Sequence, residues 1–69
     1  MSKIILEITE QEAEEIILTR RRYGLFWVKE NGKFIGIDNT SGDAWTEEFN
    51  DLEICILWLS SDISIEDLQ

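Results

Sequence analysis

Apolar and polar positions along this chain change period five times, and each change predicts an element. The run "KIILEIT" (residues 3–9) is short, apolar and β-branched, which predicts a strand. From Thr9 the spacing becomes helical. Ala13, Ile16, Ile17 and Arg20 fall on one side of a helix. Thr9 and Glu12 stand at the positions of a capping box, in which each side chain satisfies a backbone N–H of the first turn. Arg20, Arg21 and Arg22 are expected in the last turn, where cations face the negative end of the helix dipole, and Gly24 is expected to end it. The stretch "LFWVKENGKFIGI" returns to strand patterning around Asn31-Gly32, the preferred pair for a type I′ hairpin turn. A two-residue loop sets the register, so Glu30 faces Lys33, Lys29 faces Phe34, Val28 faces Ile35, Trp27 faces Gly36 and Phe26 faces Ile37.

A second turn, "NTSG", precedes a third strand, "AWTEEF". With Asp38 opposite Asp43, Ile37 would face Ala44, Gly36 would face Trp45, Ile35 would face Thr46 and Phe34 would face Glu47. In "NDLEICILWL", Asn50 and Glu53 form a second capping box, and Leu52, Cys55, Ile56 and Leu59 make a helical stripe. Residues 60–69 read as an acidic tail that frays. The expected fold is α+β, in the order β-α-β-β-β-α. It is a single domain over residues 1–69, a three-stranded antiparallel meander packed by two helices, with the first strand a candidate for addition at an edge. Apart from that strand, the order resembles double-stranded-RNA-binding domains. Those domains present lysines to phosphates, whereas the region of the second helix here carries Asp51 and Glu53 and no cation, so only the architecture transfers.

Alternate residues of a strand point to opposite faces. One face of the expected sheet collects Phe26, Val28, Ile35, Ile37, Ala44 and Thr46. The other collects Leu25, Trp27, Lys29, Phe34, Gly36, Trp45, Glu47 and Phe49, with space over Gly36 for both indoles. Were both helices to pack on the aliphatic face, the aromatic one would stay open as a binding surface. The alternatives are that the tail, the first strand or a self-dimer covers it, or that the faces are reversed and the aromatics are the core.

Charge narrows the choice of partner. Residues 1–33 carry six basic and six acidic side chains, whereas residues 34–69 carry nine acidic and no basic ones, so the whole net charge of −9 lies in the second half. Such a surface repels nucleic acid and attracts basic proteins. The expected interaction residues are therefore Trp27, Phe34, Trp45, Glu47, Glu48, Phe49 and Asp51. "RRRYGLFW", with Arg20, Arg21 and Arg22 beside aromatics, is the one segment that suits single-stranded nucleic acid. No apolar run reaches the roughly 18 residues of a membrane span and no basic-then-apolar leader opens the chain. A lone cysteine excludes an internal disulfide and a cysteine zinc site. A cytoplasmic protein is expected.

Catalysis finds little support. The chain has no histidine, Glu47 and Glu48 point to opposite faces of a strand, and Cys55 sits on an apolar stripe beside acids, which does not activate a thiol. No cofactor is expected. Asp38 and Asp43 are weak metal candidates, because an EF-hand loop counted from Asp38 would place Phe49 where the bidentate glutamate belongs. Asp38 fits an Asx turn and Gly42 a positive-φ position.

Residues 24–59 contain a hairpin, then "GIDNTSGDAWTEEF", and finish on Trp58-Leu59. This segment resembles a group of small, mostly uncharacterised acidic proteins of Gram-positive bacteria and their phages that share Gly-Ile-Asp-Asn-x-x-Gly-Asp-x-Trp-x-Glu-Glu-Phe. The resemblance covers about half of the chain and implies a bacterial or prophage origin, not an activity. The functional expectation is a non-enzymatic protein-interaction module. It would bind or inhibit a host protein through an acidic and aromatic surface. A self-associating structural module and nucleic-acid binding through the three arginines are the alternatives.

Overall fold

The computed structural model describes residues 4–60. The elements are β1 (Ile5–Glu7), α1 (Glu10–Thr19), β2 (Leu25–Glu30), β3 (Lys33–Asp38), β4 (Trp45–Phe49) and α2 (Leu52–Ser60). They form one mixed sheet in the order β1-β2-β3-β4. The meander β2-β3-β4 is antiparallel, and β1 joins its edge in parallel with β2. A parallel neighbour needs a crossover, and α1 supplies it. The acidic tail expected over residues 60–69 lies outside the described residues, apart from Ser60.

Local chemistry accounts for most of these boundaries. Thr9 caps α1 in a complete capping box, accepting from the Glu12 N–H at 3.1 Å while the Glu12 carboxylate accepts from the Thr9 N–H at 3.0 Å. The helix ends sooner than its arginines suggest. Arg20 adopts a left-handed conformation (φ 55°) and its N–H donates to the Ile16 carbonyl, so Arg20, Arg21 and Arg22 follow α1 instead of forming its last turn. Asn31 and Gly32 both have positive φ, as a type I′ turn requires, and the β2–β3 register is the expected one.

The β3–β4 register differs from expectation by two residues. Phe34 pairs with Phe49, Gly36 with Glu47 and Asp38 with Trp45. This pairing sets two phenylalanines side by side, where the expected one would have set Glu47 against Phe34. A slip of two preserves the face of every side chain, whereas a slip of one would reverse them all. The inferred sorting onto two faces therefore survives for the strand residues, whereas Ala44, at φ 50°, lies before β4 and belongs to the loop. At the head of α2 the cap is displaced by one position. Asp51 accepts from the Glu53 N–H at 2.8 Å, while Asn50 accepts from the Lys33 ammonium.

The helices pack on opposite faces, so the expectation of an open aromatic face is corrected. α1 covers the aliphatic face, in a core of Ile8, Ala13, Ile16, Phe26, Val28 and Ile37. α2 covers the aromatic face, where Leu25, Phe49, Cys55 and Leu59 are buried and Ile5, Trp27, Phe34, Leu52 and Trp58 pack around them. Two half-sized cores, one per face, replace the single core of a two-layer fold. The reason is compositional: both faces of β2 and β3 are apolar, so each needs its own cover.

Gly36 shows how closely α2 docks. A Cβ on this residue would lie 2.9 Å from Cε3 of Trp58 and 3.2 Å from Sγ of Cys55. The glycine does admit an indole, but it is that of Trp58 on α2 and not those of Trp27 and Trp45. Around it, Phe49 meets Trp58 at 5.7 Å between ring centroids, and Trp27 meets Phe34 at 5.9 Å, both tilted.

Candidate functional site

The loop joining β3 to β4 carries the densest polar chemistry of the chain, and Asn39 organises it. Its side chain is fully buried. Nδ2 donates to the Arg22 carbonyl at 2.8 Å, and Oδ1 accepts from the Ala44 N–H at 3.0 Å. Its backbone exchanges two further hydrogen bonds with Gly24, at 2.9 and 3.3 Å. One amide thus ties the start of β2 to both ends of the loop. Ala44, held at φ 50°, then turns the chain into β4. These bonds lengthen the connection and shift the register relative to a four-residue turn.

Asp38 and Asp43 do not face each other. Asp38 accepts from the Thr40 N–H at 3.1 Å and from its hydroxyl at 2.7 Å, an Asx turn. Asp43 accepts from the Ser41 hydroxyl at 2.9 Å. Each carboxylate is engaged locally, and among the described residues no group of three or more His, Cys, Asp or Glu side chains could hold a metal ion. Gly42, at φ 88°, lies under the exposed ring of Tyr23, which stands 3.2 Å from the position of a Cβ there. The loop is a folded structural device with its polar groups turned on one another.

The expected interaction residues separate into two groups. Phe49 is buried, and Trp27 and Phe34 are half-buried beneath α2; all three belong to the second core. Trp45, Glu48 and Asp51 are exposed, and Glu47 is half-buried. Trp45 is the most accessible of the large aromatics in this group, 64% exposed on edge strand β4. It stands where the sheet runs beyond the cover of α2, so it keeps the face assigned to it but not the company of Trp27.

The three arginines are dispersed in role. Arg22 forms an ion pair with Glu12 at 3.0 Å and lies over the Phe26 ring at 5.0 Å. Glu12 is held below the usual carboxylate range, first by the Thr9 backbone N–H and then by Arg22. The cleft beside Arg21 and Arg22 is also lined by Glu12 and Glu15. Carboxylates next to these guanidinium groups oppose a phosphate backbone.

A surface that the face-sorting argument did not single out lies on the α1 side. α1 packs chiefly on β2 and also buries Ile37 of β3 completely, but among the described residues it leaves Ile35 of the same face only half-covered and Thr46 and Glu48 of β4 exposed. Two hollows of about 320 and 350 Å³ adjoin there and share Ile17 and Ile35. Their apolar side chains include Ile17 (43% exposed) and Leu18 (75% exposed). Part of the signal was present in the sequence, since Leu18 continues the apolar run of α1 past its stripe; Ile17, expected on that stripe, is left 43% exposed.

Cys55 is a free, fully buried thiol, and desolvation raises its pKa to about 11. At that value it is protonated at neutral pH and a poor nucleophile. Among the described residues, no helix is long and apolar enough to cross a membrane. No protein-family model, curated protein or solved structure matches this chain.

Proposed function

We propose that this chain is a non-enzymatic protein-interaction module that engages a partner with a basic surface through its acidic second half. The observation that carries this reading is the exposed Trp45 on edge strand β4, in a chain whose residues 34–69 contain nine carboxylates and no cation. An exposed tryptophan supplies the desolvated anchor typical of binding hot spots, and surrounding carboxylates steer and select a basic partner. Imitating the phosphate charge of nucleic acid, and so occupying the basic groove of a nucleic-acid-handling host protein, is the concrete version. The resemblance of residues 24–59 to bacterial and phage proteins bears on origin alone and suits a bacterial or prophage setting, with the cytoplasm as the expected compartment. The alternative of nucleic-acid binding loses support from the pairing of Arg22 with Glu12.

The test is affinity capture from a bacterial extract at low and high salt, with Trp45→Ala and a triple Glu47→Lys, Glu48→Lys, Asp51→Lys variant as controls. A basic protein retained by the wild type and lost by both variants is the expected result. Equal retention by the triple variant refutes the reading. Sedimentation at micromolar concentration tests the self-associating alternative, for which a stable dimer broken by Trp45→Ala is the signature.

A further inference from the structure

We infer that the exposed strip of the aliphatic face between α1 and β4 is the seat for a basic amphipathic helix of the partner protein. The inference rests on the proposal that the chain binds a basic protein, and it names the element bound and where it lies.

Geometry provides the slot. Strands of a sheet are about 4.8 Å apart and packed helices lie about 8–10 Å apart, so an axis one helix spacing from α1 falls about two strands farther on. With α1 over β2, that axis runs above β4. Among the described residues nothing covers the strip along β4: Ile35 is half-buried, and Thr46 and Glu48 are exposed, although Ile37 beside Thr46 is already buried under α1. The flank of α1 facing the slot offers Ile17 and Leu18. A helix laid there would touch α1 on one side and the sheet beneath it, the same two contacts that a second helix of this layer would make.

Charge specifies the occupant. The slot is rimmed by Glu10 and Glu14 of α1, Glu30 at the end of β2, and Glu48 of β4. Among the described residues no lysine or arginine lines either hollow, and Lys33, on the same face of β3, donates to the Asn50 side chain. A helix with an apolar stripe flanked by lysines or arginines would bury its stripe on Ile17, Leu18 and Ile35 and pair its cations with the rim. A second copy of this chain does not fit. α1 itself carries Glu10, Glu12, Glu14 and Glu15 and no cation, and α2 carries Glu53 and no cation. Neither helix has the charges the rim requires.

The experiment is an amide ¹H–¹⁵N NMR titration of the full chain with a leucine–lysine amphipathic peptide of about 14 residues, long enough to span the sheet as a helix. A scrambled peptide of the same composition is the control. The expected result is saturable shifts centred on Ile17, Leu18, Ile35 and Thr46 with the amphipathic peptide alone. Leu18→Arg combined with Thr46→Arg should weaken binding by at least about tenfold by like-charge repulsion, while Ile54→Ala, at an exposed position of α2 on the opposite face, leaves it unchanged. Both substituted positions are exposed, and a native-like spectrum confirms the fold. Shifts centred on Trp45 and Asp51 overturn the slot while leaving the basic-partner reading intact. Equal binding of the scrambled peptide does the same. The absence of any binding at low salt overturns both. A dimer dispersed by the double arginine variant overturns the inference in favour of a second copy.

Discussion

Removing the Asn39 side chain is the sharpest test of how this small domain is held together. Asn39→Ala deletes two hydrogen bonds, to the Arg22 carbonyl and from the Ala44 N–H, at a fully buried position. Each such bond is worth about 1 kcal/mol net, and a partner left unpaired and partly buried adds roughly 1–3 kcal/mol, so the expected cost is about 2–4 kcal/mol. A domain of this length has a stability of about 3–10 kcal/mol, so the variant should lose a large fraction of it, with Tm falling by roughly 10–25 °C. Urea unfolding followed by tryptophan fluorescence measures the loss directly. A companion variant isolates the donor. Asn39→Asp keeps an acceptor for the Ala44 N–H but sets a carboxylate against the Arg22 carbonyl. Burial and that neighbour raise the folded pKa of the new acid above its unfolded value. Its protonated form can donate, so its relative stability is highest at acid pH and falls as pH rises through the carboxylate range. Asn39→Ala measured at the same pH values is the reference. A loss below about 0.5 kcal/mol for Asn39→Ala would show that the amide is a bystander, since changes of that size are typical of substitutions away from structural features. Equal pH profiles for the two variants would refute the donor argument.

The other expectations follow from the two cores and the helix cap. Gly36→Ala drives a methyl into the Trp58 ring and should cost about 1–2 kcal/mol, after the small gain from removing a strand glycine; pairing it with Trp58→Leu should relieve most of that cost in a double-mutant cycle, and an unaffected urea midpoint for Gly36→Ala alone would contradict the close docking of α2. Glu12 has a folded pKa below its unfolded value, so its contribution is present above the unfolded pKa and is lost as pH falls through the lowered one; Glu12→Gln should flatten that part of the acid limb of a stability-versus-pH curve, and an unchanged limb counts against the capping box and its Arg22 partner. Cys55 should react with iodoacetamide far more slowly in the native chain than in urea, at a rate set by opening of α2, and fast native alkylation at neutral pH would contradict its burial.

Local chemistry was legible wherever neighbours in the chain decide the outcome. Asn31-Gly32 dictates its turn from two residues, and the β2–β3 register follows because a two-residue loop leaves no freedom. Thr9 and Glu12 cap α1 because both partners lie within one turn. Side-chain alternation likewise sorted the faces correctly, even where the β3–β4 register was off by two, because period two is indifferent to an even slip. The candidate site fared differently. Trp45, Glu48 and Asp51 are exposed as interaction residues should be, but Trp27, Phe34 and Phe49 pack under α2. Their apolar character suits a contact surface and a core equally well, and composition alone does not separate the two.

What the linear pattern settles, then, is the set of elements, their order and the face to which each strand residue belongs, since these depend on contacts a few residues apart and on backbone geometry. Three matters were settled only by the assembled molecule. Asn39 became the tie between β2 and the loop because Gly24 and Arg22, distant in the chain, arrive beside it. Gly36 received Trp58 rather than its strand neighbours because α2 folds back over β3. And the helices took opposite faces, closing the aromatic one and leaving, among the described residues, an exposed strip between α1 and β4. That choice compares the burial of two apolar faces at once, a sum over the whole sheet that no short stretch of sequence contains.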